Sequence, residues 1–135
     1  MLRVLVVDDE ESVRDLLITR LERWGHRVTA APDGESALRA YRHLRPDLVL
    51  MDLEMPRCNG LDASRAIREE DPGASIILIT ASPDAPAARK ALEMGYVQVA
   101  IPKPFYFEQL RMAMREAVGR PGAQPASKDR EAGVA

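Results

Sequence analysis

The sequence predicts an α/β fold: a doubly wound, five-stranded parallel sheet, flavodoxin-like in its order 2-1-3-4-5, with five helices. Three observations predict it. Five apolar runs of strand length alternate with five stretches of helical periodicity, and repeated strand-then-helix units call for a parallel sheet covered on both faces. The second and fifth runs carry polar residues, Arg27 and Thr29 in one and Gln98 in the other. These suit the sheet edges, while the first, third and fourth runs suit the centre. Finally, Asp8, Asp9, Asp52, Thr80 and Lys103 stand at the carboxyl ends of apolar runs, the edge at which such sheets bind ligands.

The elements follow in order. Residues 2–7 form an apolar strand broken only by Arg3. Val13, Leu16, Leu17, Leu21 and Trp24 then recur at helical spacing, with Gly25 as a stop. Residues 27–31 alternate as a half-exposed strand does, and Pro32-Asp33-Gly34 makes a turn. A second helix carries Ala37, Ala40, Tyr41 and Leu44 on one face. Residues 48–51 form the third strand, and the loop 52–60 leads into a helix over 61–69. Residues 76–79 are the most apolar strand. Pro83 and Pro86 open a fourth helix that ends near Gly95, residues 97–101 form the last strand, and Leu110, Ala113, Met114 and Ala117 mark the fifth helix. Right-handed crossovers accommodate the order 2-1-3-4-5. A domain over 1–118 results, and residues 119–135, rich in Gly, Pro, Ala and charge, are expected to be a disordered tail or linker.

Bulk properties narrow the class. The 135 residues suffice for one core, and 46% hydrophobic with 30% charged residues is ordinary for a globular chain. A net charge of −2 with dispersed signs offers no basic patch, so direct nucleic-acid binding is disfavoured. No apolar run reaches the roughly 18 residues of a membrane span. The lone Cys58 cannot form an internal disulfide, and a cytoplasmic location is the expectation.

Three carboxylates at adjacent strand ends repel one another; two charges ~4 Å apart cost about 1 kcal/mol in water and more where solvent is reduced. A compensating cation is therefore expected, and hard oxygen ligands suit Mg²⁺. Taken alone, Asp8-Asp9-Glu10 is also the acidic first turn of a helix. Asp52 is suited to accept a phosphoryl group covalently, with Lys103 and a metal neutralising the charge of a loose transition state. Thr80 could donate its hydroxyl to a phosphoryl oxygen, or simply cap a strand. Lys103, between Pro102 and Pro104, is held more closely than a solvated surface lysine, and Lys103-Pro104 is a candidate cis peptide. Cys58 is read as incidental to the site.

Val4-Leu5-Val6-Val7-Asp8-Asp9-Glu10, Met51-Asp52-Leu53-Glu54-Met55-Pro56 with Asn59-Gly60, Thr80-Ala81 and Lys103-Pro104-Phe105 together carry a specific resemblance. Over residues 2 to about 118 the chain resembles the receiver domain of two-component response regulators, similar to the stand-alone chemotaxis type. The resemblance implies Asp52 as phosphoacceptor and Mg²⁺ held by Asp9, Asp52 and the backbone carbonyl of Glu54, with Asp8 acting through water. It implies Thr80 as the switch hydroxyl and Lys103 as the phosphate-pairing cation. The donor would be a phosphohistidine of a sensor histidine kinase or histidine phosphotransfer protein. A change in binding to a downstream protein, or a homodimer through helix four, strand five and helix five, would follow. Such a chain is a phosphorylated switch and not a turnover enzyme. No DNA-binding or enzymatic domain follows residue 118, so the chain is expected to act by binding, unless it is a fragment of a longer regulator.

Two positions depart from the family pattern. The aromatic residue usual three positions before the lysine is Ala100, and the segment 95–103 is one residue longer than usual, with Pro102 near the strand end. The usual threonine-to-aromatic relay is thereby in question, and Tyr96 and Tyr106 are read as packing or surface rings. Glu54 lies where the family tunes phosphate lifetime. A phosphorylation-independent interaction module is the main alternative. A haloacid-dehalogenase-like phosphatase would need aspartate at position 54, and a flavin site would need a hydroxyl- and glycine-rich loop where acids stand.

Overall fold

The structure, a computed structural model, describes residues 1–119. Its elements are β1 (Arg3–Val7), α1 (Glu11–Arg23), β2 (Arg27–Ala31), α2 (Gly34–Leu44), β3 (Leu48–Asp52), α3 (Gly60–Glu70), β4 (Ile76–Thr80), α4 (Pro86–Glu93), β5 (Val99–Pro102) and α5 (Phe107–Gly119). The sheet order is β2-β1-β3-β4-β5 and every pairing is parallel. The expected fold class is therefore the observed one. The appendage expected at 119–135 lies, from residue 120 on, outside the described residues. Among the described residues no helix is long and apolar enough to cross a membrane.

Strand alternation divides the core into two layers, since successive side chains point to opposite faces. Leu5, Val7, Val49, Met51, Ile76 and Leu78 face one way and pack with Ala37, Tyr41, Ala63, Ile67, Ala88 and Ala91 of α2, α3 and α4. Val4, Val6, Leu48, Leu50, Ile77 and Ile79 face the other way, onto Leu17 and Leu21 of α1 and Leu110 and Met114 of α5. Every residue of β3 and β4 is buried, because both strands are covered on both faces and flanked on both sides. Each fully buried aliphatic side chain contributes about 1.5–3 kcal/mol.

Local chemistry sets the helix ends. Asp33 caps α2 by accepting from the Ser36 amide, and Asn59 caps α3 by accepting from that of Asp62. Pro86 opens α4 at its first turn. Gly25 at φ +93° lets the chain leave α1 and turn into β2.

Three expectations are corrected. The last strand begins at Val99 rather than 97; just ahead of it, Gln98 still donates its amide N–H to the Ile76 carbonyl at 3.0 Å. Its carboxamide accepts from the Ile76 amide at 2.8 Å and donates to the Ala74 carbonyl at 2.8 Å. Gln98 thus anchors the start of β4 from just ahead of β5, which is an edge strand as expected. The first strand begins at Arg3, with Leu2 buried just ahead of it. Leu16, placed on the buried stripe of α1 by spacing, is 55% exposed, since Leu17 and Leu21 already occupy the sheet-facing line.

Candidate functional site

The parallel register delivers five chemically useful residues to one edge. Asp8 follows β1, Asp52 ends β3, Thr80 ends β4 and Lys103 follows β5. Asp8 and Asp52 are each 2% exposed and Thr80 is fully buried, whereas Asp9 is exposed. Carboxylate oxygens of Asp8, Asp9 and Asp52 all lie within 4.8 Å of one another. The three expected carboxylates therefore lie together.

Lys103 ties the cluster together. Its ammonium donates to Asp8 Oδ2 at 3.1 Å and to Asp52 Oδ1 at 3.0 Å. Its backbone is tied to the end of β4, the Lys103 amide donating to the Thr80 carbonyl at 2.8 Å; the Lys103-Pro104 peptide is cis. The second Asp8 oxygen accepts from the Glu10 amide at 2.9 Å, and the Arg14 guanidinium donates to the Asp8 carbonyl at 2.8 Å. Asp8 thus has both oxygens engaged, whereas Asp52 keeps one free of protein donors among the described residues.

Burial pushes the Asp52 carboxyl up to about 6; the Lys103 hydrogen bond opposes this, and the charges of Asp8 and Glu54 add to it. Burial disfavours the Lys103 charge, but its bonds to Asp52 and Asp8 outweigh that and raise its pKa. Lys103 is therefore the fixed cation of the site. Cys58, nearby in sequence, has its thiol raised by burial and by Asp62, Glu35 and Asp33, which disfavours the thiolate.

The approach of α3 is set by Gly60. A Cβ there would run into the Asp52 carbonyl oxygen and meet Leu53 Cα at 2.8 Å, so only glycine lets the helix start this close to the β3 end. The Gly60 amide donates to the Leu53 carbonyl at 3.0 Å.

One arrangement was not legible in the sequence. The exposed Glu54 turns its carboxylate onto the end of β4, where Oε2 accepts from the Thr80 hydroxyl at 2.7 Å and Oε1 from the Ala81 amide at 3.1 Å. Thr80 Oγ1 in turn accepts from the Ser82 amide at 3.0 Å. The spacing Asp52-x-Glu54 was the available signal, but it pointed to a backbone carbonyl and to phosphate lifetime, not to a bond with Thr80. Beside Thr80 in the sheet, Pro102 is the register partner, and Ala100 pairs with Leu78. Tyr106 is 81% exposed, and Tyr96 packs half-buried against the α2–α3–α4 layer. The two rings are placed as surface and packing residues.

An all-oxygen, anionic donor set of this compactness fits a hard divalent cation such as Mg²⁺. The comparisons agree with that chemistry. A family model described as the response regulator receiver domain matches residues 4–115. The DNA-binding response regulator MtrA of Mycobacterium tuberculosis is 40% identical over 124 residues, covering 92% of this chain and 54% of that protein. The regulatory protein AtoC of Escherichia coli is 34% identical over 116 residues, covering 86% of this chain and 25% of that protein. The chain thus spans about half or less of these relatives. Among solved structures, the chemotaxis protein CheY4 of Vibrio cholerae superposes with TM-score 0.80 at 27% identity, covering 87% of this chain and 98% of that one. The response regulator TrrA of Thermotoga maritima, in complex with Mg(2+)-BeF, gives 0.77 at 35% identity over 87% of this chain and 99% of that one. With the acidic cluster, the lysine and the sheet order all in place, this chain belongs to the response regulator receiver domain family of two-component systems.

Proposed function

We propose that the chain is a phosphorylation-activated switch in which Asp52 accepts a phosphoryl group from the phosphohistidine of a sensor histidine kinase or histidine phosphotransfer protein. The observation that carries this reading is Asp52 itself: buried at a strand end, bonded to Lys103, and facing Asp8 and Asp9. In the transfer, the P–N bond to the donor imidazole breaks and its electron pair returns to the ring, while a P–O bond forms to an Asp52 oxygen. The attacking carboxylate must be ionised, and the Lys103 ammonium favours that form.

Asp9, Asp52 and the Glu54 backbone carbonyl, with Asp8 through water, would hold Mg²⁺. When bound it supplies positive charge to the phosphoryl oxygens. Lys103 supplies a second, covalently fixed cation, and the Thr80 hydroxyl supplies a donor once it turns toward the phosphoryl group. The modification adds roughly −1.5 to −2 charges if it behaves as other phosphoresidues do. Water later releases phosphate from the same carboxyl, so the chain regulates and does not turn over substrate, as receiver domains in general are switches. Thr80, Lys103 and the ends of β4 and β5 connect the site to α4, β5 and α5, where Leu92, Met94 and Met112 are exposed. That face would bind a downstream protein or a second copy of the chain, in the cytoplasm.

A second reading has one specific observation in its favour. Ala100 stands where the family has a ring, and a constitutive interaction module would need none. Amide hydrogen–deuterium exchange over 86–119, with and without beryllofluoride and Mg²⁺, separates the two. The switch predicts altered exchange in α4 and α5 for the wild type and none for Asp52→Ala. Identical patterns in all four samples would support the constitutive module.

A further inference from the structure

The bonds that Glu54 makes reach beyond metal binding. A hydroxyl has one proton to donate, and so has a backbone amide. In this structure both protons at the end of β4, those of Thr80 Oγ1 and of the Ala81 amide, are given to the two oxygens of a single carboxylate, at 2.7 Å and 3.1 Å. The Thr80 lone pair is used as well, by the Ser82 amide. A phosphoryl group on Asp52 that recruits Thr80 must therefore displace Glu54.

We infer that Glu54 is a latch: its carboxylate holds the Thr80 hydroxyl and the Ala81 amide in the unmodified chain and competes with the phosphoryl group for both donors. Three observations favour a latch over a plain loop contact. The carboxylate offers two oxygens to two donors, the pairing that two phosphoryl oxygens would require. Thr80 is fully buried while Glu54 is in place, so its hydroxyl is committed to this acceptor and exchanges it for another. Glu54 is itself exposed, so once displaced its charge is received by solvent. Glu54 is thus a positioning residue that sets the threshold for switching, and this role rests on the reading of Asp52 as phosphoacceptor.

The test is a double-mutant cycle on the full chain, measuring the dissociation constant for beryllofluoride in the presence of Mg²⁺ by NMR titration. Charge-assisted hydrogen bonds of this kind are worth about a tenfold change in an equilibrium even when partly exposed. Glu54→Ala is therefore expected to tighten binding about tenfold in the wild-type background and by much less in Thr80→Val or Thr80→Ala, where the contested hydroxyl is gone. Unchanged affinity in Glu54→Ala, or equal tightening in both backgrounds, would overturn the latch; the second result would mean simple charge repulsion. A wild type that binds no beryllofluoride would instead overturn the phosphoacceptor reading. The contact is also read without metal, by amide exchange of Ala81, which is expected to quicken severalfold in Glu54→Ala. An unaltered Ala81 rate would equally count against the latch.

Discussion

Asp52 holds its charge against its surroundings. Its carboxyl is pushed up to about 6 from the usual 3.8, first by burial and then by Asp8 and Glu54, with Lys103 opposing. The sign of the consequence follows from linkage: a carboxyl raised on folding favours the folded state when protonated, so that contribution is fully present below about 3.8 and is lost as pH rises through about 6. A shift of this size corresponds to about 3 kcal/mol. In metal-free buffer Asp52→Asn should accordingly raise the unfolding free energy at pH 7.5 by about 2 kcal/mol. The gain should fade toward pH 4, which urea denaturation at several pH values will check. At this scale much of the site was legible. Asp8, Asp9, Asp52, Thr80 and Lys103 each end a run of apolar residues, and parallel register alone brings such ends together. The Glu54 carboxylate was not legible, because its direction depends on how the loop after β3 folds back over the end of β4, which no periodicity encodes.

At the level of elements, the site depends on how closely α3 starts to the end of β3. Gly60 makes that approach, and the atoms a Cβ would strike are backbone, which cannot swing aside. Gly60→Ala should therefore cost roughly 1–3 kcal/mol as an overpacking substitution and displace the Asp52 carbonyl as α3 moves outward. Thermal unfolding followed by circular dichroism checks the stability, and beryllofluoride affinity checks the displacement. The helices and strands themselves were legible within a residue or two, because Leu, Ile and Val recur at the correct spacings. Two details were not. Leu16 satisfies the helical period of α1 yet remains exposed, since the sheet accepts one line of side chains from that helix and Leu17 and Leu21 fill it. Gln98 does mark an edge strand, but its carboxamide also satisfies the Ile76 amide and the Ala74 carbonyl. Polar residues at a strand start serve the backbone as readily as they serve solvent.

For the whole molecule, the order β2-β1-β3-β4-β5 places the reversal of winding between β1 and β3, and the acidic cluster stands at that point. The polar residues of the second and fifth strands, the apolar centre and right-handed crossovers suggested this order from sequence. The route from site to surface was less legible. It was framed by a missing ring at Ala100, whereas the structure shows a different holder of Thr80, the carboxylate of Glu54. In such a molecule the threonine is restrained at the site and not at the far face, and switching is governed by how readily Glu54 gives way. All of this presumes that Asp52 takes a phosphoryl group. Intact mass spectrometry after incubation with acetyl phosphate and Mg²⁺ tests that directly. The wild type should gain the mass of one phosphoryl group, lose it on removal of the donor, and gain nothing without Mg²⁺; Asp52→Ala should gain nothing at all. No addition to the wild type, or equal addition to Asp52→Ala, would contradict the account.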